Sequence, residues 1–265
     1  MGLMEQLSPL IRCESIGLAL DGRAIIKNVS LEVFAGEVLA LVGPNGAGKS
    51  SILSVLAGDV PATSGMASLG GKDVTKYRPE KAARVRSVLM QSNQVSFPFS
   101  VGEIVDMGRA PWARTPQFSE DDEAIEQALE QADVAHLVER RFNQLSGGER
   151  ARVSFARVLA QRTPVVLLDE PTAALDLKHQ ESVMRAIRGL ADRGCAVVVV
   201  VHDLSIAAGY ADRIAMIVEG KLEAIGTPGE VIVADRVSRV YGVEVDIESI
   251  GRPPRPVILP RREKK

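Results

Sequence analysis

Aromatic residues make up only 4% of this 265-residue chain. So few rings leave little material for a platform on which nucleic-acid bases stack. Positive charge is not in excess either: 32 Lys and Arg face 34 Asp and Glu, a formal net charge of -2. No global field is available to hold a polyanion, so no nucleic-acid partner is expected. Cysteine is scarce. Cys13 and Cys195 form no CxxC pair and no metal-type cluster, which argues against a zinc module or disulfide scaffold and for a reducing compartment. Long apolar runs are missing too. The aliphatic run at 196–201 falls far short of the ~20 residues a membrane-spanning helix needs. The N-terminal residues show no basic region followed by an apolar stretch, so no secretory signal is expected. Work at a membrane would require attachment through a partner.

What is present suits a soluble globular protein with a sizeable core: 46% hydrophobic and 25% charged residues. Residues 11–42 read as short strands with turns at Asp21-Gly22 and Ala35-Gly36. A Gly-rich loop and a helical pattern follow, the start of an α/β unit. Residues 85–90 suggest another strand. The stretch 100–160 reads as mostly helical, with Ser119 and Asp122 marking a helix start. Aliphatic runs at 165–168 and 196–201 suit strands buried on both faces, as in a parallel sheet. Between them, 178–193 reads as a crossover helix ended by Gly194. Glu219-Gly220 separates two further strands of a hairpin. The proline-rich segment from Gly251 is expected to be extended or mobile.

Three segments carry chemistry. Gly43-Pro44-Asn45-Gly46-Ala47-Gly48-Lys49-Ser50 fits the GxxxxGK[ST] pattern of a phosphate loop. Glycines let backbone N–H groups converge on phosphate oxygens, and the following helix points its positive end at them. Lys49 supplies a compact charge, and Ser50 a hydroxyl for Mg²⁺. Asp169-Glu170 follows the aliphatic run at 165–168. At the end of a parallel strand, Asp169 would hold Mg²⁺ and Glu170 would activate water. Alone, the pair would leave a surface acidic turn open, but the phosphate loop upstream favours the site. Leu145-Ser146-Gly147-Gly148-Glu149 opens a helical run. A hydroxyl, bare backbone amides and a helix N-terminus make a second anion site. One nucleotide rarely needs two such loops from one chain, so the second is expected to serve a nucleotide held by another copy. The bland reading is an ordinary capping sequence.

These segments, with Gln91, Ala174-Leu175-Asp176 and His202 in the same order and spacing, resemble the ATP-binding subunits of ABC transporters over residues 10–240. The resemblance implies an α/β P-loop NTPase core of mostly parallel sheet, with an antiparallel β subdomain and an inserted helical subdomain. It implies one domain, 10–245, with core segments 10–90 and 160–245 and helical subdomain 91–159, then a tail at 246–265. It implies ATP and Mg²⁺, and a head-to-tail homodimer that sandwiches two ATP molecules. The permease partner would be a membrane dimer, served by an extracytoplasmic substrate-binding protein. The chain itself would sit peripherally on the cytoplasmic face of the inner membrane.

Carried over to this sequence, residues 43–50 and Ser51 would bind ATP, with Ser146, Gly147 and Gly148 gripping the γ-phosphate from the other subunit. Glu170 would be the catalytic base. His202 would contact the γ-phosphate and hold Glu170 or water. Gln91 would contact Mg²⁺ or water beside Ser50 and Asp169, and report nucleotide state to the permease. Asp176 would cross the dimer seam. His136 and His179 lack such context and read as surface residues. One departure stands out: the family's adenine-stacking aromatic is missing near Leu20. An aliphatic contact forfeits about 0.5–1.5 kcal/mol of ring stacking, or about two- to tenfold in affinity, so loose base selectivity is expected.

The stretch 96–112, with its Ser-Phe-Pro-Phe start and Met-Gly-Arg-Ala-Pro run, resembles ATPases of haem, ferric siderophore and vitamin B12 importers, and the haem subgroup most. Phe97, Phe99 and Trp112 would either dock a permease helix or pack inside the helical region. A soluble ABC ATPase of repair or translation is the rival class. Those carry coiled coils, paired cassettes or basic surfaces, which this sequence lacks. A non-hydrolysing regulatory module is the third reading, opposed by Glu170 and His202.

Overall fold

The computed structural model describes residues 8–90, 99–252 and 254–261. Gln91 and Phe97 lie outside these residues. Strands β1 (Ile11–Leu20) and β2 (Arg23–Val33) form a hairpin. Its turn, Asp21-Gly22, has two successive positive-φ residues, the geometry that matches the twist of hairpin strands. Strand β3 (Val38–Val42) runs into the glycine loop and helix α1 (Lys49–Ala57). Strands β4 (Ser64–Leu69) and β5 (Lys72–Asp73) complete an antiparallel sheet of order β2-β1-β4-β5. Helix α2 (Pro79–Val85) leads to β6 (Arg86–Leu89).

The helical region holds α3 (Val101–Asp106), α4 (Asp121–Gln131) and α5 (Gly147–Ala160), joined by short 3-10 turns. Then follow β7 (Val165–Asp169), α6 (Leu177–Asp192), β8 (Ala196–Val200), α7 (Leu204–Tyr210), β9 (Arg213–Val218) and β10 (Lys221–Gly226). The chain continues through α8 (Pro228–Val231), α9 (Ala234–Tyr241), β11 (Val245–Ile250) and β12 (Arg255–Pro260).

The second sheet has the order β10-β9-β3-β8-β7-β6, parallel except at β10. Its central strands are buried along their whole length. Period-two alternation sends their side chains into two separate cores. Val38, Ala40, Val166, Leu168, Val197 and Val199 join one core, with the helical region and α6. Leu39, Leu41, Val165, Leu167, Val198 and Val200 join the other, against α1 and the antiparallel sheet. Each fully buried Val or Leu contributes about 1.5–3 kcal/mol. A charge at Val199 would break both the strand and the core it feeds.

One expectation needs correction, and one gains detail. Ser119 does not start a helix by capping: it lies in a 3-10 turn, its hydroxyl donates to Pro116 O, and α4 begins at Asp121. Three acids in the first turn of α4 favour that start through the helix dipole instead. The proline-rich tail is extended, but as a hairpin of β11 and β12 docked on α7. Both cysteines are free thiols; burial pushes Cys13 up to about 12.

Candidate active site

The C-terminal ends of β3, β8 and β7 lie side by side. Ligands of open parallel sheets collect at such edges. From β3 comes the glycine loop. Gly43, Gly46 and Gly48 take positive φ, so the loop closes tightly with its amides turned inward. A Cβ on Gly43 would stand 2.0 Å from Ile217 O, so no other residue fits without moving β9. The β9–β10 turn clamps the loop from outside: the Gly220 N–H donates to Ala47 O at 2.9 Å, and Gly220 O accepts from Lys27 N–H at 2.7 Å. A side chain at Gly220 would collide with Ile25 O.

Lys49 is 5% exposed. Its Nζ donates to Gly43 O at 2.8 Å and Pro44 O at 2.9 Å. Burial lowers its pKa, opposed by the nearby Glu170 and Asp169 carboxylates. A cation held inside a ring of glycine amides is a ready seat for phosphate oxygens.

From β7 come the two carboxylates. Asp169, the last residue of the strand, is 2% exposed, and its Oδ1 has no hydrogen-bond partner among the described residues. Burial raises its pKa, opposed by a hydrogen bond from Ser50 and by Lys49. A buried carboxylate with an orphaned oxygen beside a serine hydroxyl fits a hard divalent cation such as Mg²⁺. Glu170 sits at φ 51°. This left-handed backbone is uncommon for a residue other than glycine and recurs at functional sites. It turns the Glu170 side chain away from the strand's course. His202, two residues beyond β8, places Nε2 at 2.6 Å from Glu170 Oε1. Glu170 and His202 together with residues 45–51 line one open cavity of about 600 Å³. Arg23 and Ile25 of β2 also line it, and the sequence reading did not single them out. Their positions just after the Asp21-Gly22 turn were the available signal.

Ser146, Gly147 and Gly148 stand apart from this cavity. Ser146 caps α5: its Oγ accepts from Glu149 N–H at 3.3 Å, and Glu149 Oε2 accepts from Ser146 N–H at 2.7 Å. The Ser146 N–H, and after it the Ser146 hydroxyl, hold the Glu149 carboxylate below its usual range. Ser146 and Gly147 are exposed. Gly148 packs on the loop after β7, where an added Cβ would lie 3.2 Å from Ala174 O. Asp176 caps α6 through His179 N–H at 2.9 Å and touches His179 Nδ1 at 2.7 Å. His179 is therefore tied to a site segment, a contact its sequence context did not reveal. Phe99 packs against the larger core and Trp112 Nε1 donates to Gln161 O, which favours the interior reading of these two rings over the docking one.

The comparisons agree with this geometry. The pattern of the ABC transporter family matches residues 26–173. The chain is 51% identical, over 92% of its length and 87% of the relative's, to the hemin import ATP-binding protein HmuV of Streptomyces coelicolor. It is 47% identical to the protein of the same name from Rhodococcus jostii, over 96% of this chain and 87% of that one. A dimeric, post-hydrolysis ATP-binding cassette bound to ADP and Pi superposes with a TM-score of 0.74, at 25% identity, over 82% of this chain and 98% of that one. Fold, site geometry and sequence together make this chain a member of the ABC transporter family.

Proposed function

We propose that this chain is the ATP-hydrolysing subunit of a haem importer, working as a pair of copies beneath a membrane permease. The observation that carries the catalytic half is the Glu170–His202 pair, 2.6 Å apart, facing the phosphate-loop cavity. Haem as cargo is supported by the 51% identity to a hemin import protein.

The chemistry follows from the chain's own groups. The triphosphate enters the glycine loop, and Lys49 exchanges its two carbonyl partners for phosphate oxygens. Ser50 and Asp169 would hold Mg²⁺, with Gln91, and the bound ion neutralises charge on the β- and γ-phosphates. Glu170 accepts a proton from the attacking water as that oxygen bonds to the γ-phosphorus, and the bond to the β–γ bridging oxygen breaks. His202 fixes the Glu170 carboxylate and would also reach the γ-phosphate. Ser146, Gly147 and Gly148 of a second copy would close on that phosphate with their hydroxyl and amides, and Asp176 would line the seam. Nucleotide glues the copies together; hydrolysis removes the glue. Positioning and fixed dipoles do most of the catalytic work.

No helix among the described residues is long and apolar enough to cross a membrane. A peripheral position at the cytoplasmic face of the inner membrane follows from the proposed role, with an extracytoplasmic substrate-binding protein delivering cargo. The test is uptake by vesicles holding the chain with its permease. ATP-dependent haem entry is expected; entry of ferric siderophore or vitamin B12 instead would move the cargo assignment while keeping the motor. ATP hydrolysis that drives none of the three would favour the soluble repair or translation class.

A further inference from the structure

The cavity beside the phosphate loop is lined from two sheets. Glu170 and His202 follow β7 and β8 of the parallel sheet, and Arg23 and Ile25 come from β2 of the antiparallel one. Lys49 fixes the phosphates, and the Glu170–His202 side takes the terminal one. The nucleoside must therefore run toward Ile25 and Arg23. Ile25 adjoins the loop: its carbonyl oxygen lies 3.0 Å from the place a Cβ on Gly48 would take. Arg23 lies two residues back along β2, about 6–7 Å away along the strand, and lines the same cavity although a bulge at Ile25 interrupts the strand's alternation. Its cross-strand partner is Leu20, which is 49% exposed. Directly opposed residues of an antiparallel pair share a face, so an isobutyl group and a guanidinium stand together on this side. No aromatic residue lines the cavity among the described residues. Arg23 is exposed, and its guanidinium makes no hydrogen bond or ion pair with another described residue.

We propose that Arg23, beside Leu20, forms the base subsite, with its planar guanidinium laid on the face of the purine. The inference rests on the reading of this cavity as the ATP site. A guanidinium is flat, delocalised and weakly hydrated, and it stacks on π systems where an ammonium does not. The cation also gains from the electron-rich face of the ring, worth about three- to tenfold in affinity at a partly exposed site. Stacking senses ring area and not the pattern of donors and acceptors on the ring edge. Adenine and guanine are therefore held alike, and the smaller pyrimidines less well.

The experiment compares the full-length wild type with Arg23→Ala, Arg23→Lys and Arg23→Trp. It measures KM and kcat for ATP and GTP, and inhibition by inorganic tripolyphosphate, which has no base. Arg23→Ala is expected to raise KM for ATP and GTP in parallel, by about three- to tenfold, with the effect on KM and not on kcat. Arg23→Lys, which keeps the charge but not the planar stack, is expected to fall between wild type and Arg23→Ala, and Arg23→Trp to restore the wild-type KM. Tripolyphosphate inhibition should be the same in all four proteins. An unchanged KM in Arg23→Ala overturns the proposal while leaving the ATP site standing. Equal weakening of tripolyphosphate also overturns it, because Arg23 would then be a phosphate contact. A wild type that hydrolyses neither nucleotide removes the reading of the cavity, and this inference with it.

Discussion

Two glycine-containing loops in this chain are proposed to bind anions, and they are finished to different degrees. The loop at 43–50 is surrounded by its own chain: Lys49 is buried inside it, and Asp169, Glu170 and His202 arrive from neighbouring strands. The loop at 146–148 faces solvent, and the Ser146 hydroxyl is occupied by its own helix. Gly147 lines a smaller cavity with Arg150, Asp169 and Glu170, but none of residues 43–51 lines that cavity and none of residues 146–148 lines the first loop's. In the proposed reading the first loop is one half of a catalytic site, and the second is a lid that shares no cavity with the first loop. That separation supports a lid supplied by a different copy, so that turnover would depend on the encounter of two chains.

The largest effect tests the complete half. Glu170→Gln is expected to slow turnover by ~10²–10⁴, the usual worth of a positioned general base. ATP binding should persist, because Lys49 and the glycine amides are untouched. Lys49→Ala should instead abolish binding itself. A steady-state ATPase assay beside an equilibrium binding measurement separates the two. Normal hydrolysis by the Glu170 variant would remove its role as base.

The next test asks whether the halves belong to different copies. Lys49→Ala damages the first loop, and Ser146→Ala the second. Each variant alone should be nearly inactive. In a mixed dimer, one pocket combines both lesions and the other combines none. Random pairing in a twofold dimer makes half the dimers mixed, each with one sound pocket of two, so the mixture should recover about a quarter of wild-type activity. No recovery would mean that both loops serve the same chain. Loss of the Ser146 cap costs the single variant about 1 kcal/mol of stability, which a thermal melt checks separately.

A smaller effect probes the seam. Asp176 has a visible local task, capping α6 through the His179 N–H. Asn caps almost as well as Asp. Asp176→Asn should therefore keep the melting temperature while lowering turnover about three- to tenfold, the loss of one charge-assisted contact across the dimer. Turnover unchanged in that variant would confine Asp176 to capping.

Much of this was legible in the sequence because the relevant rules are local. Positive-φ glycines, a buried strand run and a Ser-to-Glu capping box announce themselves within ten residues. The parallel core followed from strands such as β8, which is aliphatic on both faces. What escaped notice depends on the folded pairing. Arg23 reaches the cavity only because the turn at Asp21-Gly22 sets it opposite Leu20. His179 matters only because it lies one turn along from Asp176. The tail's pairing as a hairpin depends on prolines at strand ends, Pro256 and Pro260, which also read as breakers. Ser119 carried a capping pattern, but its hydroxyl is used one turn earlier.

The smallest effect concerns what completeness costs the first half. Asp169 is buried with an orphaned oxygen, and its pKa is raised chiefly by that burial. The folded protein therefore holds the Asp169 proton more tightly than the unfolded chain does. Between the unfolded and folded pKa values the native state binds more protons, so stability falls as pH rises through that window. The penalty is absent below the unfolded value and fully present above the folded one. Asp169→Asn removes the ionisation and keeps the shape. In nucleotide-free protein it should raise Tm at neutral pH by about 2–4 °C, which corresponds to about 1 kcal/mol for a chain of this size. The gain over wild type should vanish on acidification, as the wild-type carboxyl also becomes neutral. With ATP and Mg²⁺ the order should reverse, because the carboxylate holds the cation more strongly than a neutral amide does, and bound ligand stabilises the native state by mass action. A variant whose Tm equals that of wild type at every pH would mean that Asp169 is not strained in the empty site.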